Sequence, residues 1–122
     1  MAICKDDLLA QARQNLTIID ASRTTQLCEK GAILLDVRES TEFSQGHLPS
    51  AKHLPRGLIE FMVGNHPTLI DNNAHIVVYC KNGGRSTLAA DLLQQMGFTQ
   101  VYMLEGGFDQ WCTDGHSIQK PI

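Results

Sequence analysis

The sequence predicts an α/β domain whose central, mostly parallel sheet is flanked by helices, and three observations carry that prediction. Short runs rich in Ile, Val and Leu alternate with segments of helical period along nearly the whole chain. Connections of this length are crossovers, which set strands parallel with helices on both faces. The run Ile33-Leu34-Leu35 is continuous in polarity, the form of a strand buried on both sides.

The elements follow in order. Leu8, Leu9, Ala12 and Leu16 recur at helical intervals, so Lys5 to about Asn15 reads as an amphipathic helix. Residues 1–16 are expected to form a helical extension packed on a domain spanning 17–122. Thr17-Ile18-Ile19 is a strand candidate, after which Asp20 or Ser22 caps a helix that runs to about Glu29 and stops at Gly31. The second strand ends at Asp36, and a short helix starting at Glu39 or Ser40 reaches Gln45. Ala51 to Leu54 has room only for a short strand before Pro55, and Arg56 to Val63 returns to helical spacing. Gly64-Asn65-His66-Pro67 and Asp71-Asn72-Asn73 are turns ahead of a strand from His75 to Tyr79. Leu88, Ala89, Leu92, Leu93 and Met96 form a helical stripe closed by Gly97. Val101 to Leu104 is the last strand, and Gly106-Gly107 leads to a final helix with Phe108 and Trp111.

Composition narrows the function. At 122 residues, with no shift in composition or low-complexity tract, one domain is expected, and 43% hydrophobic content is enough for its own core. A net charge of −3 argues against a nucleic-acid partner, because positive charge is local and not spread over a face. No run approaches the ~20 apolar residues that span a bilayer, and the first residues lack a basic segment followed by an apolar one. Neither a membrane partner nor export is expected, and the expected setting is the cytoplasm. Cys4, Cys28, Cys80 and Cys112 are scattered without a Cys-x-x-Cys pair, which argues against a disulfide framework in a reducing compartment. Cys28 reads as a small buried hydrophobe, Cys4 as an exposed terminal residue and Cys112 as a position without a redox role.

The chemistry concentrates in Cys80-Lys81-Asn82-Gly83-Gly84-Arg85-Ser86, between the strand Ile76 to Tyr79 and a helix. A strand entering a glycine turn and a helix start aims backbone N–H groups and the positive helix end at the thiol. Lys81 and Arg85 add full charge. Together these terms favour thiolate over thiol, so the loop reads as an anion-binding cradle around a nucleophile. Ligands of parallel sheets sit at strand carboxyl ends, which independently places this loop at the functional edge.

Three segments together resemble the rhodanese family: Leu35-Asp36-Val37-Arg38-Glu39 with Glu42-Phe43 and Gly46 to Ala51; the loop Cys80 to Arg85; and Leu104-Glu105-Gly106-Gly107-Phe108 with Trp111. The resemblance covers about residues 17–118 and rests on the order and spacing of the three. It implies a three-layer rhodanese-like domain with a central five-stranded sheet, acting as a sulfurtransferase (thiosulfate sulfurtransferase). Cys80 stands where the family carries a persulfide. The resemblance implies that thiosulfate or a similar small anionic donor passes one sulfur to Cys80 and releases sulfite, and that cyanide, a thiol or a protein acceptor then takes it, by ping-pong kinetics. No cofactor and no metal are expected.

Within that reading Cys80, Lys81 and Arg85 are the catalytic candidates, the two cations screening an anionic donor. Asn82, Gly83, Gly84 and Ser86 would cradle the persulfide with backbone N–H groups, although a helix N-cap is the competing role for Ser86. Asp36, Arg38 and Glu42 are assigned to support of the loop, with Asp36 or Glu42 paired to Arg38 or Arg85. Arg56 is placed at the substrate pocket with Phe61 as an apolar wall, against a plain surface arginine and core phenylalanine. Lys81 and Arg85 also favour an anionic donor over mercaptopyruvate, whose family users tend to have neutral loops.

Rival chemistries are weaker. The cysteine phosphatases whose fold resembles the rhodanese fold use Cys-x5-Arg, whereas four residues separate Cys80 from Arg85, which weighs against a phosphatase or arsenate reductase. A nucleotide P-loop fails because Gly84 is followed by Arg85-Ser86 and Tyr79 stands five positions earlier. His47, His53, His66, His75 and His116 show no ligand spacing and read as solvated loop histidines. The alternative from another class is a persulfide carrier or redox-sensing interaction module.

Overall fold

Strands and helices alternate along the chain: α1 (Lys5–Arg13), β1 (Thr17–Ile19), α2 (Ala21–Glu29), β2 (Ile33–Asp36), α3 (Ser40–Gln45), β3 (Lys52–His53), α4 (Ile59–Met62), β4 (His75–Tyr79), α5 (Gly84–Gln95), β5 (Gln100–Leu104) and α6 (Gly107–Thr113). The computed structural model describes residues 2–120; Met1, Pro121 and Ile122, at the outer ends of the expected 1–16 and 17–122 segments, lie outside the described residues. The five strands form one sheet in the order β1-β5-β4-β2-β3. The expected mostly parallel sheet is parallel at every pairing of these strands.

Side-chain alternation along the strands divides the core into two layers. Leu35, Ile76 and Val78 face one side and pack with Ile59 and Val63 of the α4 region and Ala89, Ala90 and Leu93 of α5. Leu34, Val77, Tyr79 and Leu104 face the other, against Leu27 of α2 and Trp111 of α6. Helix α1 lies along α5, where Ala12 is buried and the Gln94 side-chain amide donates to the Asn15 carbonyl at 3.2 Å. Asp20 is the cap of α2, its Oδ1 accepting the Arg23 N–H at 2.8 Å. No helix among the described residues is long and apolar enough to cross a membrane.

Several local expectations change. Met96 and Leu8, placed on apolar stripes, are 42% and 44% exposed. On α5 the stripe residues Ala89 and Leu93 are buried, and small residues outside the stripe, Ser86, Thr87 and Ala90, extend the buried edge and let the helix lie close on the sheet. The segment Arg56 to Val63 is not one helix: 3-10 turns at Arg56–Leu58 and Val63–Asn65 bracket the four residues of α4. Gly57 lies within it and Gly64 just past its end, each disfavouring continuous helix by roughly 0.5–1 kcal/mol relative to alanine. Phe61 is 77% exposed and forms no core or inner wall. Cys28 is half-buried, with burial raising its thiol pKa.

Candidate functional site

The sheet order creates the site. From β2 the chain continues outward to β3, whereas from β4 it continues to β5 on the other side, so the direction of winding reverses between β2 and β4. Such a switch point opens a crevice at the carboxyl ends of the two strands. Asp36 ends β2 and Tyr79 ends β4, paired in register, and the Val37 N–H donates to the Tyr79 carbonyl at 3.0 Å. Cys80 is the next residue.

The Cys80 thiol is buried, and the loop turns around it. The Gly83 N–H donates to Sγ at 3.1 Å, and Sγ donates to Ser86 Oγ at 3.4 Å. Ser86 Oγ donates in turn to the Gly83 carbonyl at 3.1 Å, and Thr87 Oγ1 donates to the same carbonyl at 2.6 Å. Gly83, at φ 119°, is the N-cap of α5; Ser86 sits in the first turn instead, which displaces the N-cap reading of that serine. Its hydroxyl contacts the thiol directly, while Asn82 is exposed at the loop tip and Gly84 begins the helix.

A second helix start holds the loop from behind. The Phe108 and Asp109 N–H groups of α6 donate to the Cys80 and Lys81 carbonyls at 2.8 and 3.0 Å. With these carbonyls turned toward α6, the Gly83 N–H is the loop amide that meets the sulfur. The approach requires glycine at 107, where φ is +60° and an added Cβ would lie 2.5 Å from the Cys80 oxygen and 2.8 Å from the Lys81 oxygen. This support was missed in the sequence as a role, although its signal, Gly106-Gly107 ahead of Phe108 and Trp111, is plain.

Carboxylates engage three of the edge cations. Arg38 and Asp36 form a buried fork, with Nε 3.1 and 3.0 Å from the two Asp36 oxygens and Nη2 2.8 Å from Oδ2. Arg38 Nη2 also donates to the Gly46 carbonyl at 2.7 Å, and the guanidinium lies 4.2 Å from the Phe108 ring centre. Burial works against the Arg38 charge, but hydrogen bonding and the charge of Asp36 outweigh it and raise the pKa. Burial, aided by Asp36, pushes the Tyr79 phenol up, and this neutral hydroxyl accepts the Leu48 N–H at 3.1 Å. Arg85 grips Glu42 of α3 with two bonds of 2.7 and 3.1 Å. Those bonds, opposed by burial, lower the Glu42 pKa from 4.5 to about 2. Of the pairings left open, the structure forms Asp36 with Arg38 and Glu42 with Arg85. Lys81 Nζ, expected to face an anion, sits 2.8 Å from Asp109 Oδ2 at an exposed position.

The histidines are not simply solvated. His47 and His53 stack on the two faces of Phe43, at ring-centre distances of 4.0 and 4.5 Å. Each ring also pairs with a carbonyl, His47 Nδ1 with Leu48 and His53 Nε2 with Arg38, so both brace α3 and the strand ends. His66 is half-buried, and His75 and His116 are exposed. Among the described residues no three His, Cys, Asp or Glu side chains gather in a metal-binding group. Cys4 and Cys112 are exposed. Arg56 lies in the 3-10 turn that follows β3, its N–H donating to the Val37 carbonyl at 2.9 Å. A cavity of about 470 Å³ lies elsewhere, between α2, the Pro49-Ser50 loop and Trp111, and includes none of the cysteine loop. It is an apolar gap under α2, whereas the loop closes around a single sulfur atom.

The family model described as Rhodanese-like domain matches residues 9–114. A thiosulfate sulfurtransferase GlpE of Pseudomonas aeruginosa is 34% identical over 93 residues, covering 76% of this chain and 81% of that protein. The GlpE of Ectopseudomonas mendocina is 32% identical over the same length, covering 76% and 82%. Among solved structures, a Rhodopseudomonas palustris protein of unknown function, described as a possible tyrosine phosphatase, superposes with a TM-score of 0.88 at 26% identity, over 98% of this chain and 96% of that one. The polysulfide-sulfur transferase homodimer of Wolinella succinogenes superposes with a TM-score of 0.79 at 26% identity, over 94% and 86%.

Proposed function

The chain belongs to the rhodanese-like domain family, and from that premise we propose that it is a sulfurtransferase carrying a sulfane sulfur on Cys80. The observation that supports this most is the inward-facing loop: the Gly83 N–H and the Ser86 hydroxyl converge on a buried thiol whose adjoining carbonyls are turned away onto α6. The named thiosulfate sulfurtransferases among its relatives suggest thiosulfate or a similar anion as donor.

In the proposed reaction the Cys80 thiolate attacks the outer sulfur of thiosulfate. The S–S bond of the donor breaks, its electron pair leaves with sulfite, and a new S–S bond forms at Cys80. The persulfide's outer sulfur then carries the negative charge, stabilised by loop N–H groups in a site without bulk water. Cyanide, a thiol or a protein cysteine accepts that sulfur and regenerates the thiolate. Arg85 acts as a positioning residue: through Glu42 it ties the start of α5 to α3, and Lys81 ties the loop to α6. The free thiols suit a reducing, cytoplasmic setting.

Incubation with thiosulfate followed by mass spectrometry tests the reading. A gain of one sulfur on Cys80, lost in Cys80→Ser, is the expected result; an equal gain in the variant overturns it. The phosphatase description of one structural neighbour gives the rival. Phosphoryl transfer needs the loop arginine turned onto phosphate oxygens, whereas Arg85 is held on Glu42. Release of phosphate from an aryl phosphate without thiocyanate formation from thiosulfate and cyanide would favour the rival.

A further inference from the structure

An anionic donor needs a cation at the strand edge, and three of the four arginines and lysines assigned to the site are already bound to carboxylates at 2.7–2.8 Å. Arg56 is the exception. Its side-chain partner is the exposed Glu60 carboxylate, one turn along, with Nη1 and Oε1 separated by 3.4 Å. Its Nε is buried with no hydrogen-bond partner, the one such side-chain nitrogen or oxygen among the described residues. A buried unpaired donor on a charged group is unfavourable, so its persistence calls for a missing acceptor.

Backbone bonding places Arg56 at the strand edge beside the thiol loop. The Arg56 N–H is bonded to the Val37 carbonyl, and the Val37 N–H to the carbonyl of Tyr79, the residue before Cys80. The turn Arg56–Leu58 also packs against α5, whose first turn carries the cysteine loop. Arg56 therefore flanks the crevice on the β3 side.

We propose that Arg56 anchors the oxygen-bearing end of the sulfur donor, making the donor class a sulfonate-headed sulfane such as thiosulfate. The Nε and Nη2 edge of the guanidinium is the side-on fork that meets two oxygens of one oxyanion. Anchored there, the donor presents its outer sulfur to Cys80, the arginine holding its oxygens alike before and during transfer. The proposal rests on the reading of Cys80 as the sulfur-accepting thiol.

Two donors separate the two ideas. Sulfur loading onto Cys80 is followed by quenching and mass spectrometry against increasing thiosulfate, which has sulfonate oxygens, and inorganic polysulfide, which has none. Arg56→Gln is expected to raise the half-saturating thiosulfate concentration roughly 10- to 100-fold, the range of a lost charge-assisted hydrogen bond. Its maximal loading rate should change far less, its polysulfide loading should match the unmodified protein, and Arg56→Lys should recover part of the loss. Unchanged thiosulfate dependence in Arg56→Gln overturns the proposal, as does an equal loss with both donors. Loading of Cys80 by neither donor in the unmodified protein overturns the underlying reading instead. If Arg56→Gln fails to fold, Glu60→Gln serves: removing the competing carboxylate should lower the half-saturating thiosulfate concentration, and no change or a rise refutes the anchor.

Discussion

Replacing Gly107 by alanine should damage the thiol loop from behind, and Gly115→Ala, a positive-φ position away from the site, supplies the control. Both glycines have positive φ, so alanine at either carries a backbone strain of about 1–2 kcal/mol. They differ in space. A Cβ at 115 meets nothing within 4 Å, whereas one at 107 would lie 2.5 and 2.8 Å from two backbone oxygens that cannot rotate aside. Relief requires α6 to withdraw, lengthening the Phe108 and Asp109 bonds to the Cys80 and Lys81 carbonyls. Two weakened backbone bonds add about 2 kcal/mol, giving ~3–4 kcal/mol at 107 against ~1–2 at 115. That difference corresponds to a Tm gap of roughly 8 °C in a domain of this size. Denaturant titration and thermal melting measure the stabilities, and mass spectrometry at a temperature where both variants are folded measures sulfur uptake by Cys80. Gly107→Ala should lose uptake even when folded, because the loop carbonyls are no longer held outward. Equal stability and uptake in the two variants would refute the argument that α6 shapes the loop.

Two further outcomes follow from the charge pairs. Asp36→Ala leaves the Arg38 guanidinium buried without its partner and should destabilise by about 3–5 kcal/mol, while the double variant Asp36→Ala, Arg38→Met should recover much of that loss in urea titrations. A double variant no more stable than the single would contradict a desolvation cause. For Glu42 the folded pKa is depressed, from 4.5 to about 2. Its contribution is therefore fully present above pH 4.5 and disappears as pH falls toward 2. Stability measured between pH 5 and 2 should fall less steeply in Glu42→Gln than in the unmodified protein, and parallel curves would mean that the Arg85 clamp contributes nothing to acid sensitivity.

The order of strands, turns and helices along the chain was readable because it depends on near neighbours in the chain. Continuous apolar runs such as Ile33 to Leu35 announce buried strands, and Cys80 followed by two glycines announces a turn into a helix. Exposure was less readable: Met96 and Phe61 satisfy the helical pattern, yet pattern alone does not say where the neighbouring helices stop. The expected cations of the loop show the same limit. Lys81 and Arg85 are adjacent to the thiol in sequence, but their charges are engaged by Asp109 and Glu42, 28 and 43 residues away.

By itself, then, the sequence determined an α/β chain with one thiol in a glycine turn at the sheet edge, since backbone direction, apolar period and glycine placement act over a few residues. Tertiary structure decided which charges around that edge are paired. Coulomb pairing and hydrogen bonding depend on distance in space, and the crossovers of the sheet bring Glu42 to Arg85 and Gly107 to Cys80, leaving Arg56 without a strong partner.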